Sequence, residues 1–232
     1  MKKRTTDAPV PPNVDRELLE RMSLHVTDKR SGTRRLTNDE IEDALASGEH
    51  QEMLETYFGP DEYADLVRLV RETPPKRSTR SASRVLILPG ICGSMLARSN
   101  GTKLDTIWVD FFDILRGRMR ELKLPDVGKT FQATEAHPGT YLKFKLWLQA
   151  QGLNAELHPF DWRRSIPELG RELATRMAAD PADEITIVAH SMGGLVARAA
   201  LHEDAAQLPK LKRLIMLGTP NYGSFAPVLV YR

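Results

Sequence analysis

The segment 184–204, EITIVAHSMGGLVARAALHED, constrains the fold more than any other part of the chain. It opens with a short apolar run, turns at Ser191 among small residues, and continues with apolar residues at helical spacing. That is a strand, a tight turn carrying a serine, and a helix. The pentapeptide Ala189-His190-Ser191-Met192-Gly193 fits the pattern G-x-S-x-G with alanine in the first place. The spacing has a physical cause. A serine held in a strained conformation at so sharp a turn needs small neighbours two before and two after it, because strand and helix pass close together there. Alanine adds only a methyl group where glycine is usual. The helix beginning after Ser191 also aims backbone N–H groups and the positive end of its dipole at the serine. Ser191 is therefore a candidate nucleophile, with the Met192 N–H as an oxyanion donor worth about 3 kcal/mol in the transition state.

The residues around this segment supply its context. RVLILPG (84–90) is a short, continuously apolar run, as expected of a parallel strand buried on both faces. A helix, TYLKFKLWLQAQG, ends at Gly152; LNAELHPFDW reads as a strand, SIPELGRELATRMAAD as a helix and LKRLIMLG as a strand. Strands alternating with helices predict right-handed βαβ units and a parallel sheet covered by helices on both faces, the α/β-hydrolase fold. In that fold the loop after the first core strand completes the oxyanion hole. Here it is LPGICGSML, in which Gly90 and Gly93 let the backbone approach a substrate and the Ile91 N–H is the second donor.

Upstream, three further segments are expected. Residues 1–14 are polar and proline-rich and read as a disordered tail. Residues 15–73 read as a small helical module: LTNDEIEDALASGE starts at Thr37 or Asn38 as N-cap and stops at Gly48, HQEMLETYF stops at Gly59-Pro60, and DEYADLVRLVRE sets Tyr63, Leu66, Val67 and Val70 on one face. This module carries no ligand cluster and reads as a docking or packing appendage. Residues 74–83 form a Pro/Ser/Arg linker, and 84–232 are the α/β domain. Within it, the polar and aromatic segment 94–138 holds Trp108, Phe111, Phe112, Ile114 and Leu115. These side chains fit either locally packed core or an acyl-binding, interfacial surface.

Composition excludes several function classes. Hydrophobic content of 41% and charged content of 28% are those of a globular chain, and a net charge of +2 is too small to argue for a nucleic-acid partner. The basic runs MKKR and PPKRSTRSASR are solvated linkers, or weak attachments to anionic membrane surfaces. The single cysteine, Cys92, allows no intrachain disulfide. No apolar region follows MKKR as in a signal peptide, and no run reaches the ~18 apolar residues of a membrane span. The expected location is the cytoplasm. The histidines show no ligand spacing, so neither a metal nor an organic cofactor is expected.

Four signatures, in order, carry a resemblance. They are Pro89-Gly90-Ile91-Cys92-Gly93-Ser94-Met95-Leu96, Asp161-Trp162-Arg163, His190-Ser191-Met192-Gly193-Gly194, and Gly218-Thr219-Pro220 with Gly223-Ser224. Together they resemble the lecithin:cholesterol acyltransferase family of α/β-hydrolases, which includes phospholipases and diacylglycerol acyltransferases. The resemblance spans about Arg84 to Ser224 and implies acyl transfer through a serine ester: a lipase, phospholipase, esterase or O-acyltransferase of lipid metabolism. Ser191 attacks the carbonyl of a lipid or other ester, the amides of Ile91 and Met192 hold the oxyanion, and water or an alcohol takes the acyl group. Gly90, Gly93, Gly193 and Asp161-Trp162-Arg163 support the site.

The resemblance also makes the domain look C-terminally incomplete. In this fold the triad runs serine, acid, histidine along the chain, yet after Ser191 the only histidine is His202 and the only acids are Glu203 and Asp204. His202 lies about 16 Å along an unbroken helix, out of reach. His190 should point away from the serine hydroxyl, and His137 and His158 precede the serine. Triad acid and base are thus expected to be absent, and the chain alone nearly inactive. A lost C-terminal continuation, a degenerate protein and a split enzyme completed by a partner chain all fit. The missing strands predict an exposed sheet edge. A non-catalytic interaction protein is the alternative from a different class.

Overall fold

A computed structural model describes residues 24–28, 32–74, 83–99, 104–124, 131–203 and 209–225. The expected tail 1–14 and residues 75–82 of the expected linker lie outside the described residues. The chain divides into two compact units.

The first unit joins Met1–Pro75 to Cys92–Gly152 and Pro159–Arg163. It begins with strands β1 (His25–Asp28) and β2 (Gly32–Arg35), paired antiparallel, where sequence reasoning anticipated helix alone. Helices α1 (Asn38–Ser47), α2 (Gln51–Phe58) and α3 (Pro60–Glu72) follow, each close to its predicted limits. The start of α1 is set by a capping box: the Thr37 hydroxyl accepts from the Glu40 amide, and the Glu40 carboxylate accepts from the Thr37 amide at 2.9 Å. Its end is set by Gly48 in the left-handed region, φ 79°. The three helices do not bury their apolar faces against one another alone. Their core of Leu24, Ile41, Leu45, Leu54 and Leu66 is shared with Leu142 and Leu146 of α5 (Pro138–Ala150). Ion pairs reinforce that seam, Lys145 to Glu42 at 2.5 Å and Lys143 to Glu62 at 2.6 Å. The module therefore packs on α5.

The segment read as polar and aromatic contains a second sheet. Strands β4 (Ser94–Ser99), β5 (Leu104–Trp108) and β6 (Phe131–Ala136) pair antiparallel in the order β5-β4-β6, with α4 (Phe111–Leu115) and a single 3₁₀ turn at Arg118–Leu122 after β5. Leu96, Ile107, Leu122 and Phe131 form its core, joined by the partly buried Trp108 and Trp162. Ile114 is exposed. The side chains of Phe111 and Phe112 lie outside the described residues.

The second unit, Lys76–Ile91, Leu153–His158 and Arg164–Arg232, is the predicted α/β structure. Its sheet runs β7 (Ala155–Leu157), β3 (Ser83–Leu88), β8 (Glu184–His190), β9 (Leu211–Leu217), with every neighbouring pair parallel. Helices α6 (Ile166–Ala179) and α7 (Met192–Glu203) flank it. The fold is α/β-hydrolase-like. Arg84 to Leu88 of β3 are all buried, and Ile185, Ile187, Val188 and Ala189 of β8 likewise, which explains their continuous apolar sequence. At the start of β3, Arg84 pairs with Asp180 at 2.8 Å and with Glu156, and Arg176 reaches the same two carboxylates. Burial works against ionisation of Asp180, yet the Ala182 N–H and the two guanidinium groups hold it below the usual carboxylate range. β9 differs from the other strands. It is the outer strand among the described residues, and its Ile215, Met216 and Leu217 are exposed.

Helix α6 meets α7 at Gly170, where an added Cβ would lie 2.7 Å from the Ala199 Cβ and 2.9 Å from the backbone of Ala199 and Ala200. Alanine normally stabilises a helix interior by up to about 1 kcal/mol over glycine. Here overpacking against rigid backbone, typically 1–3 kcal/mol, outweighs that gain. Gly170→Ala is expected to lower stability by about 1–2 kcal/mol in urea unfolding; an equal or higher midpoint would contradict the close packing of α6 on α7.

Candidate active site

Ser191 stands between the last residue of β8 and the first of α7, with φ +51°. That value is rare for a residue with a side chain and stores about 1–3 kcal/mol of strain, which only the surrounding structure can hold in place. Four contacts do so. The Ser191 N–H donates to the Leu217 carbonyl of β9 at 2.8 Å, and the Ser191 carbonyl accepts from the Gly194 N–H at 3.1 Å. Gly193 presses on the end of β3: an added Cβ would lie 2.5 Å from the Pro89 carbonyl oxygen and 2.9 Å from Leu88. At Gly194 a Cβ would overlap the Thr219 side chain. Ala189, two before the serine, is fully buried. The small residues of the pattern are thus required by contact with β3 and with the turn after β9.

The loop leaving β3 approaches the serine from the other side. A Cβ on Gly90 would lie 3.0 Å from the Ser191 Cβ and 3.1 Å from His190 Nδ1. Ile91, next in the chain, has an exposed side chain at a turn. Met192 opens α7, so its N–H has no acceptor within the helix. Gly90, Ile91, Ser191, Met192 and Gly193 therefore all belong to the second unit, with the β3 loop and the nucleophile turn in contact. This arrangement sets a strained serine against a glycine loop at the N-terminal end of a helix, where backbone N–H groups favour negative charge.

Asp161, Trp162 and Arg163 belong to the first unit. Arg163 grips Asp161 with two hydrogen bonds, Nε to Oδ1 at 2.8 Å and Nη2 to Oδ2 at 2.6 Å, both side chains being almost fully buried. Its third nitrogen donates to the Leu122 carbonyl at 3.2 Å, and its guanidinium lies over the Phe131 ring. With both oxygens engaged, Asp161 serves as a structural anion. Trp162 Nε1 donates to the Ser94 carbonyl at 3.1 Å. Gly93 is tied through its carbonyl, which accepts from the His137 N–H at 2.9 Å. Cys92 has φ +60°, and burial pushes its thiol pKa up.

All six histidines of the chain are among the described residues. Of the three in the second unit, His202 lies in the last turn of α7, as its spacing predicted. His158 donates its N–H to the Ile87 carbonyl at 2.9 Å, and burial, helped by Arg176, lowers its pKa to about 4. His190 is exposed at the end of β8, beside Gly90. No group of three or more His, Cys, Asp or Glu among the described residues is placed to hold a metal ion, and no described helix is long and apolar enough to cross a membrane.

Sequence reasoning placed Trp108 in local core or an acyl-binding surface, and it packs on the core of the first unit's three-stranded sheet; the hydrogen bond from its Nε1 to the Cys92 carbonyl, 2.8 Å, was not anticipated.

Residues 169–228 match the family described as the PGAP1-like alpha/beta domain, an α/β-hydrolase-type family. The match begins in α6 and includes β8, Ser191, α7 and β9. No curated protein and no solved structure matches the chain.

The buried histidines generate a pH dependence. In the first unit burial, helped by Arg35, also lowers the His137 pKa to about 4. Both imidazoles thus have folded pKa values below the ordinary 6.5. Above about pH 6.5 they are neutral in both states and contribute no pH dependence; as pH falls toward 4 the unfolded chain binds protons that the folded chain refuses. Urea midpoints should fall over this window, and His137→Gln with His158→Gln should flatten the slope. An unchanged slope in the double variant would contradict the burial of these side chains.

Proposed function

We propose that the chain carries out acyl transfer from a carboxylic ester through an acyl-Ser191 intermediate, as a serine esterase, lipase or O-acyltransferase acting on lipid or similar esters. One observation carries the reading: Ser191, at φ +51° between strand and helix, is in contact with the glycine loop that leaves β3. In the reaction the Ser191 hydroxyl oxygen attacks the ester carbonyl carbon and loses its proton. The tetrahedral oxyanion is held by the Ile91 and Met192 amides, and collapse expels the alcohol, which regains a proton. Water or an acceptor alcohol then attacks the acyl-serine, releasing acid or a new ester and restoring the hydroxyl.

The resemblance to the lecithin:cholesterol acyltransferase signatures favours a lipid ester, and the match to an α/β-hydrolase-type family is compatible with esterase chemistry. The base is not assigned. His158 follows β7 and precedes the serine in the chain, and His202 is about 16 Å from the serine along α7. A nucleophile with its oxyanion donors but no base retains about 10³–10⁴-fold catalysis over water in serine proteases.

The reading predicts slow, stoichiometric modification of Ser191 by excess fluorophosphonate, with little ester turnover. Intact mass and peptide mapping should show one adduct on wild type and none on Ser191→Ala. A folded chain that takes no adduct, or takes it equally in the variant, would refute Ser191 as nucleophile.

A further inference from the structure

Strand β9 ends the four-stranded sheet among the described residues, and its hydrogen bonds to β8 fix which of its backbone groups face the open edge. The Leu217 carbonyl accepts from the Ser191 N–H at 2.8 Å. The two strands are parallel, with His190 opposite Leu217, Val188 opposite Ile215 and Thr186 opposite Arg213. In a parallel ladder a residue turns its N–H and its C=O to the same side, and the next residue turns both to the other. Arg213, Ile215 and Leu217 therefore bond toward β8. Lys212, Leu214 and Met216 present their backbone groups to the open edge.

Edges of this kind are ordinarily blunted by shortness, by proline, by a bulge or by an outward lysine. β9 is seven residues long and contains no proline. Its one register shift lies at its start, opposite Ile185 and Thr186. Its lysine is turned back onto the sheet, with Lys212 Nζ 2.5 Å from the Glu184 carboxylate of β8. Toward its other end Ile215, Met216 and Leu217 are exposed in succession, so apolar side chains meet solvent on both faces of the strand.

The strand is also complementary to itself. A two-fold axis at Leu214 sets Leu211 opposite Leu217 of a second copy, Lys212 opposite Met216, and Arg213 opposite Ile215. Lys212, Leu214 and Met216 then occupy the hydrogen-bonded pairs of an antiparallel ladder, so each outward N–H and C=O finds a partner. Both cations lie in the first half of the strand and meet apolar residues of the second half, which their methylene stems can cover. An axis at Lys212 or Arg213 would oppose like charges, and one at Ile215 would leave the start of the strand unpaired.

We propose that this edge is a homodimer interface, in which two copies of the chain pair β9 with β9 antiparallel about Leu214 and continue their sheets into one. A second copy is the occupant because the register that satisfies the backbone is the one that keeps the charges apart. The contact is isologous and therefore closes at two. It lies within the second unit and requires nothing of Ser191, so it stands or falls separately from the acyl-transfer reading.

The register supplies its own test. Arg213 opposite Ile215 is a non-hydrogen-bonded pair, with Cα atoms about 4.5 Å apart and side chains close, and it occurs on both sides of the axis. Both side chains are exposed, so substitution there leaves the fold of the single chain intact. Sedimentation equilibrium of the full-length chain should show reversible exchange between monomer and dimer. Ile215→Lys sets an ammonium against Arg213 of the other copy and should raise the dissociation constant about tenfold; Ile215→Glu should lower it. Adding Arg213→Glu to Ile215→Lys should bring the constant back close to wild type. Circular dichroism checks that each variant is folded, and should Ile215→Lys not fold, Ile215→Glu decides alone by the opposite sign. A wild type that stays monomeric at every concentration would overturn the proposal. So would a dimer that responds equally to Lys and Glu at Ile215, or association that grows past two copies.

Discussion

Gly193 rests on the end of β3 with no room for a side chain, and the arrangement of the second unit depends on that contact. A Cβ there would stand 2.5 Å from the Pro89 carbonyl oxygen. The closeness brings the first residues of α7 against the loop that leaves β3. Gly90 consequently lies against Ser191. The strain at Ser191 follows from the same approach, because the chain must reverse from β8 into α7 within a single residue. The strain is held by the Ser191 N–H bond to β9 and by the packing of Gly194 on Thr219. The contacts at Gly193 and Gly194 leave no room for a Cβ, so any larger residue there must displace the strand end or the turn it touches.

The first unit shows how polar groups can fix backbone where apolar packing alone would not. Its three-stranded sheet has a small core, yet its aromatic members turn their N–H groups toward loop carbonyls rather than solvent. The Asp161–Arg163 pair belongs to the same construction. Two nearly buried charges satisfy each other in a bidentate geometry, and the guanidinium also braces the 3₁₀ turn through Leu122 and covers Phe131. The N-terminal helices join this unit because α5 is apolar on more than one face: Leu142 and Leu146 complete their core.

What could be read in the sequence was what depends on local chemistry. The Ser191 turn, the buried strands β3 and β8, the capping box at Thr37 and the glycine stop at Gly48 each follow from neighbouring residues. β1, β2 and the β4–β6 sheet were illegible for a physical reason. Their strands are short and rich in Arg, Thr, Ser and Asp, so apolar periodicity is too faint to separate them from loop. The sharing of core between α5 and the N-terminal helices was equally hidden, since an apolar face does not name the element that covers it. The site divided in the same way. The residues around Ser191 were legible from the spacing of small side chains. The hydrogen-bond partners of Arg163, Trp162 and Trp108 required knowing which carbonyls lie within reach.

The most direct test of the central claim is a crystal structure of the Ser191 phosphonate adduct. The account predicts phosphorus bonded to the serine oxygen and the phosphoryl oxygen within about 2.7–3.1 Å of both the Ile91 and Met192 nitrogens. An adduct whose phosphoryl oxygen turns away from the Ile91 amide, or one formed on another residue, would contradict it.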